Sequence, residues 1–190
     1  MSGPSGAGKG TLVDRLTAAR PECVFAISST TRPRREGEVD GVQYEFVTRE
    51  EFERRIAQGY FLEFAEVHGQ LYGTPARFVD DGVRQGRVVV LDVDVQGGAS
   101  VRRERPDAAS VFVYPPSIDS LRQRLLSRGT DGAEVIERRL RNAPAEMAQY
   151  VEYDYVIVND DLEQAVSRLI AIVDAERSRV RRLRTSRPDR

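Results

Sequence analysis

The stretch MSGPSGAGKGT, Met1–Thr11, decides how the rest of the chain is read. Its glycines at 3, 6 and 8 let the backbone turn tightly and aim several N–H groups at one anion. Leu12, Val13 and Leu16 then recur at helical spacing as far as Pro21, so the loop feeds a helix whose first turn adds partial positive charge. Lys9 is the one lysine among 29 basic residues, and its compact ammonium reaches over a loop where a planar guanidinium does not fit. G-x-x-x-x-G-K running into a helix predicts a nucleotide phosphate site at Gly3, Pro4, Ser5, Gly6, Ala7, Gly8, Lys9, Gly10 and Thr11. Gly10 stands where such loops carry the hydroxyl that holds magnesium. Thr11 follows it, which predicts a metal held mostly through water. A loop of this kind normally follows a buried strand, and Met1–Ser2 leaves no room for one.

The bulk numbers narrow the class. A chain of 190 residues suits one core carrying at most small inserted subdomains. With 29 basic against 30 acidic residues, no overall field draws it onto nucleic acid or an anionic membrane, so any anion site is local. A single cysteine, Cys23, excludes an internal disulfide and reads as a small buried side chain; a single histidine, His68, excludes a histidine-rich metal centre and reads as surface. No apolar run approaches the ~20 residues of a membrane span. The expectation is a soluble cytoplasmic protein.

Along the chain, strand-like runs alternate with helical ones. CVFAIS (23–28) reads as a strand, and the loop STTRPRREGEVDGVQ leads into a strand at YEFV. TREEFERRIAQG is a helix capped by Thr48, YFLEFAEVHGQLYG a hairpin, and TPARFVDDGVRQG a helix with Pro75 in its first turn. RVVVLDVDVQG reads as a strand buried on both faces, with Asp92 and Asp94 near its C-terminal end. SVFVYPP and YDYVIVND are further strands; two helical stretches lie between Ser117 and Tyr150, and a long helix precedes the basic tail. This order predicts an α/β fold with a mainly parallel sheet and ligands beyond its C-terminal strand ends. There the glycine loop, the two aspartates and the arginine loop would converge. A second phosphate fork in that arginine loop would make the protein a phosphoryl transferase.

GPSGAGKGT, SSTTRPRREGEVDGVQYEFV, FLEFAEVHGQLYGT, VLDVDVQG, RLLSRGTD and YDYVIVNDDL occur in this order, and the chain resembles guanylate kinases over nearly its whole length. The resemblance implies the P-loop nucleoside monophosphate kinase fold: a core (1–27, 83–116 and 149–190), an inserted GMP-binding subdomain (28–82) and a helical lid (117–148). It implies Mg²⁺-dependent transfer from ATP to GMP or dGMP, by a monomer or homodimer. Ser28 and Glu63 resemble the guanine readers, the carboxylate accepting from N1–H and the exocyclic amino group, which adenine cannot match. Asp94 and Thr74 resemble the residues beside that amino group. Arg32, Arg35, Tyr44 and Tyr72 resemble the ligands of the GMP phosphate; Arg34 competes with Arg35 because the spacing of this loop departs slightly from the family pattern. Asp92 resembles the acid that orients water on magnesium, with Thr11 beside it. Arg124, Arg128 and Arg139 resemble the lid arginines, and Asn159 a residue beside the adenine of ATP. In guanylate kinases an apolar strand precedes the loop in mid-sheet, so Met1–Ser2 is expected to be its stub and Met1 an internal methionine of a longer chain. Two other readings share the fold: a non-catalytic module that binds phosphorylated peptides, and a kinase for a different phosphate acceptor.

Overall fold

A computed structural model describes residues 1–67, 69–127, 129, 132–180 and 182; His68, Arg128 and most of the basic tail lie outside the described residues. The elements in chain order are α1 (Lys9–Ala19), β1 (Cys23–Phe25), β2 (Ser29–Thr30), β3 (Glu45–Phe46), α2 (Arg49–Ala57), β4 (Phe61–Val67), β5 (Gln70–Pro75) and α3 (Ala76–Arg84). There follow β6 (Val88–Val90), α4 (Val95–Glu104), β7 (Val111–Tyr114), α5 (Ile118–Ser127), α6 (Ala133–Met147), a 3₁₀ turn (Ala148–Glu152), β8 (Tyr155–Val158) and α7 (Leu162–Arg177).

Two parallel strand pairs, β1–β6 and β7–β8, form the central layer. Met1 and Ser2 join them. The Ser2 N–H donates to Val111 O at 2.9 Å and Val113 N–H to Ser2 O at 2.7 Å; on the other side the Met1 amino group donates to Leu91 O at 2.7 Å and Val93 N–H to Met1 O at 3.1 Å. Ser2 pairs in parallel with Phe112. Met1 and Ser2 therefore lie in mid-sheet, with Ser2 parallel to β7. Leu12, Val13 and Leu16 of α1 meet Val166, Leu169 and Val173 of α7 over Val90, Val111, Val113 and Ile157. A second apolar cluster, Leu121 and Leu125 of α5 with Ile136, Leu140 and Ala143 of α6, holds these two helices together.

The remaining strands form a separate four-stranded sheet in the order β3-β2-β5-β4, with β4 and β5 the predicted antiparallel hairpin. Alternation along β4 buries Glu63 and Ala65 and exposes Phe64 and Glu66. Thr48 caps α2 as expected, its hydroxyl accepting from Glu51 N–H at 3.2 Å. Three expectations need correction. CVFAIS is not one strand: β1 ends at Phe25, and Ser29 already belongs to the other sheet. Pro75 closes β5 and precedes α3 instead of lying in its first turn. The valine-rich run pairs with β1 only over Val88–Val90; beyond it Leu91 and Val93 bond to Met1, and the chain then enters α4, a helix the sequence pattern did not announce.

Gly3 leaves the Ser2 bridge with φ 146°, and a Cβ there would fall onto the carbonyl oxygen of Val113. Both the conformation and the contact exclude other residues. Gly3→Ala is expected to lower stability by about 3 kcal/mol or more, seen as a reduced urea midpoint; a midpoint equal to that of the parent chain would contradict this packing.

Candidate active site

The loop Gly3–Gly8 is shaped by its glycines and strapped from outside. Gly6 and Gly8 have φ 91° and 93°, and Gly8 is the residue from which α1 starts. Buried Asn159, just after β8, donates from Nδ2 to Ala7 O at 2.7 Å, and a Cβ on Gly8 would collide with that amide. Arg124 of α5 donates from Nη1 to Ala7 O at 3.2 Å and from Nη2 to Asn159 O at 2.8 Å. Arg139 of α6 contacts the Ser5 hydroxyl. Lys9 donates to Gly3 O at 2.7 Å and lies 3.7 Å from an oxygen of Asp92, so its ammonium lies back over the loop. A cleft of about 320 Å³ opens beside this loop, lined by Gly6, Gly8, Thr11, Arg124, Asn159 and Leu162 among others. Two of the three predicted lid arginines thus touch the loop; the third, Arg128, lies outside the described residues.

The small sheet carries the second group. Glu63 of β4, 6% exposed, accepts from the Thr74 hydroxyl at 2.6 Å and from Thr74 N–H at 3.1 Å. Ser28 reaches the same Thr74 hydroxyl at 3.3 Å. Burial pushes the Glu63 carboxyl up to about 6 despite the Thr74 bonds that favour its ionised form, and the charge of Asp94 adds to the rise. The other Glu63 oxygen would lie 2.6 Å from a Cβ on Gly97, so this glycine of α4 leaves room for the carboxylate. Asp94 caps α4, accepting from Gly97 N–H at 2.8 Å. Ser28, Glu63, Thr74 and Asp94 therefore do come together.

Farther along the sheet, Arg32 sits under the rings of Tyr44 and Phe46, 5.4 and 5.5 Å from their centroids, and the Tyr44 and Tyr72 rings meet edge to face at 5.8 Å. Burial pushes the Tyr44 hydroxyl up to about 12, with Asp92 the next contributor. The charge of Asp92 thus acts on Tyr44, and Asp92 also lies 3.7 Å from Lys9, so this carboxylate stands between the small sheet and the loop. Arg34 is exposed, whereas Arg35 is half-buried with its N–H on Glu38.

Compared with known families, the chain fits the guanylate kinase model over residues 1–176. The chain belongs to the guanylate kinase family. It is 54% identical over 179 residues to the guanylate kinase of Symbiobacterium thermophilum, covering 94% of this chain and 85% of that one. To the guanylate kinase of Carboxydothermus hydrogenoformans it is 45% identical, covering 96% and 90% of the two chains. The crystal structure of guanylate kinase from Anaplasma phagocytophilum superposes with a TM-score of 0.79 at 35% identity, covering 95% of this chain and 86% of that one. The nucleoside monophosphate kinase fold expected from the motifs is thereby established.

Two carboxylates of this guanylate kinase family member escaped the sequence reading. Glu38 binds Arg32, and Glu146 of α6 is a half-buried carboxyl that burial pushes up while the charges of Lys9, Asp94 and Arg139 act on it. Glu146 lies two helical turns beyond Arg139, a spacing that puts both on one face of α6 and was legible in the sequence.

The Glu63 shift has a measurable sign. Its folded-state value of about 6 lies above the ordinary 4.5, so the folded chain binds an extra proton between those limits. The stability this group contributes is full below pH 4.5 and is lost as pH rises through about 6, a change of about 2 kcal/mol. Urea unfolding across pH 4.5 to 7.5 is expected to show Glu63→Gln gaining on the parent chain by about that amount as pH rises; a constant difference would contradict the burial of an ionisable group at this position.

Proposed function

We propose that this guanylate kinase family chain transfers the terminal phosphoryl group of ATP to GMP or dGMP, forming ADP and the nucleoside diphosphate. The observation that carries the reading is one carboxylate between two anion-suited groups: Asp92 lies 3.7 Å from Lys9 of the loop, and its charge acts on Tyr44, the partner of Arg32 in the sheet. A protein that holds two phosphates face to face has the requirement of phosphoryl transfer, which is alignment and neutralised charge more than covalent chemistry.

In this reading the loop N–H groups and Lys9 bind the β- and γ-phosphates of ATP, and the cleft by Asn159 and Leu162 takes its adenosine end. Arg32, Arg35, Tyr44 and Tyr72 bind the acceptor phosphate. Glu63, ionised at neutral pH, accepts from the N1–H and amino group of guanine, with Ser28, Thr74 and Asp94 around it; adenine leaves that carboxylate unpaired. An oxygen of the GMP phosphate attacks the γ-phosphorus, the bond to the β–γ bridging oxygen breaks, and ADP departs with that electron pair. Arg124, Arg128 and Arg139 balance the charge on the moving group as the lid (117–148) and the acceptor subdomain (28–82) close on the core. Magnesium suits the residues present. Among the described residues no three His, Cys, Asp or Glu cluster as a metal cage, and this ion takes one or two side chains with substrate phosphates and water. Thr11 and Asp92 would hold it, and when bound it neutralises charge on the phosphate oxygens.

No helix among the described residues is long and apolar enough to cross a membrane. The bacterial relatives support the cytoplasm as the place of action, with small-molecule substrates.

The test is an acceptor panel with ATP: GMP, dGMP, AMP and ribose 5-phosphate. Turnover is expected with the two guanine nucleotides alone, and Lys9→Ala is expected to lower it by about 100-fold or more. A chain that captured a phosphopeptide yet turned over no ATP, or that preferred AMP, would overturn the reading. Near-normal transfer by Lys9→Ala would remove the loop from its assigned role.

A further inference from the structure

Glu38 follows Arg35 by three residues in a polar loop where nothing nearby in the sequence marks it. In the structure its carboxylate takes the two ends of the Arg32 guanidinium, Nη1 donating to Oε2 at 2.9 Å and Nη2 to Oε1 at 2.7 Å. The Arg35 backbone N–H donates to Oε2 at 2.7 Å. Both side chains of the pair are shielded, at 11% and 17% exposure. Exposed pairs such as Arg49 with Glu53, at 49% and 57%, contribute little. A shielded, two-pronged pair fixes geometry instead.

An arginine has five N–H groups in a rigid plane. Arg32 gives two to Glu38 and a third, from Nη1, to Pro33 O at 2.7 Å. The Nε–H and the outer Nη2–H remain, side by side along one edge of the guanidinium, a spacing that matches two oxygens of a phosphate. The rings of Tyr44 and Phe46 bracket the same group, and Tyr72 is near enough to hydrogen-bond with it. Glu38 therefore holds one edge of Arg32 and takes neither donor of the other.

We propose that Glu38 is a positioning residue for the acceptor phosphate: it grips Arg32 by its Nη1/Nη2 edge so that the Nε/Nη2 edge is presented to the phosphate, and it ties the Arg35 backbone into the same turn. The inference rests on the acceptor-site reading given above. Its effect is opposite in sign to that of a simple counter-charge. A carboxylate acting only by its charge would weaken the hold of Arg32 on a phosphate, and neutralising it would tighten binding. A carboxylate acting by orientation would do the reverse.

Glu38→Gln keeps the shape and removes the charge-assisted grip. Calorimetric titration of the full chain with GMP and with guanosine, for the parent, Glu38→Gln, Arg32→Lys and the double variant, separates the possibilities. Glu38→Gln is expected to weaken GMP about tenfold, with guanosine held within about twofold. The double variant is expected to be no weaker for GMP than Arg32→Lys alone, since Glu38 acts through Arg32. In turnover the loss is expected in KM for GMP, with KM for ATP unchanged. Unaltered or tighter GMP binding by Glu38→Gln, an equal loss for guanosine, or additive losses in the double variant would each overturn the proposal. A parent chain that binds GMP no better than guanosine would overturn the acceptor-site reading and this inference with it. Tight GMP binding by the parent that Glu38→Gln leaves intact would overturn this inference alone.

Discussion

Four backbone hydrogen bonds, made by Met1 and Ser2 to Leu91, Val93, Val111 and Val113, connect the two halves of the central layer. The rest of the active cleft depends on them. Strand β6 leads to Asp92 and Asp94, and β7 and β8 lead to the helices and to Asn159; the Met1–Ser2 bridge sets these ends in one register. Gly3 follows directly, pressed against the Val113 carbonyl, so the phosphate loop starts from the point where the two strand pairs meet. Buried backbone groups must find partners, and here satisfying them also places the loop.

The same economy of space governs the proposed acceptor side. Glu63 is a carboxylate inside the protein, and burial pushes it toward its protonated form. Thr74 offers it two hydrogen bonds and Gly97 the room that any larger residue would take. The outcome is a group ionised at neutral pH yet short of donors, which suits it to recognise a base edge that supplies them. Arg32 receives comparable treatment from Glu38 and two aromatic rings. In both cases the reactive-looking side chain is less informative than what holds it.

Much of this was legible in the sequence where the signal is local. The glycine spacing before Lys9, the Thr48 cap, the alternation of Glu63 to Glu66 and the apolar runs of β7 and β8 all act over a few residues and all appear in the structure. The misses are long-range. Helix α4 contains Gly97 and Gly98, poor helix formers that local propensity counts against it. They are there because Glu63 lies 2.6 Å from where a Cβ of Gly97 would be, and Ser2 and Tyr153 lie 2.5 and 2.6 Å from that of Gly98. The bonds from Leu91 and Val93 to Met1 likewise join residues some ninety positions apart. Motif resemblance brought the candidate site residues together in advance, but it was silent on Glu38 and Glu146, whose meaning lies in their neighbours.

The central claim is that donor and acceptor phosphates occupy one cleft, between the Lys9 loop and the Arg32 corner. A ligand joining adenosine and guanosine through a chain of five phosphates addresses it directly, since it spans both positions only if they face each other. The account predicts one equivalent bound per chain, at least about 100-fold tighter than ATP alone, and displaced by ATP and by GMP alike. Binding no tighter than ATP, or displaced by only one of the two nucleotides, would contradict it.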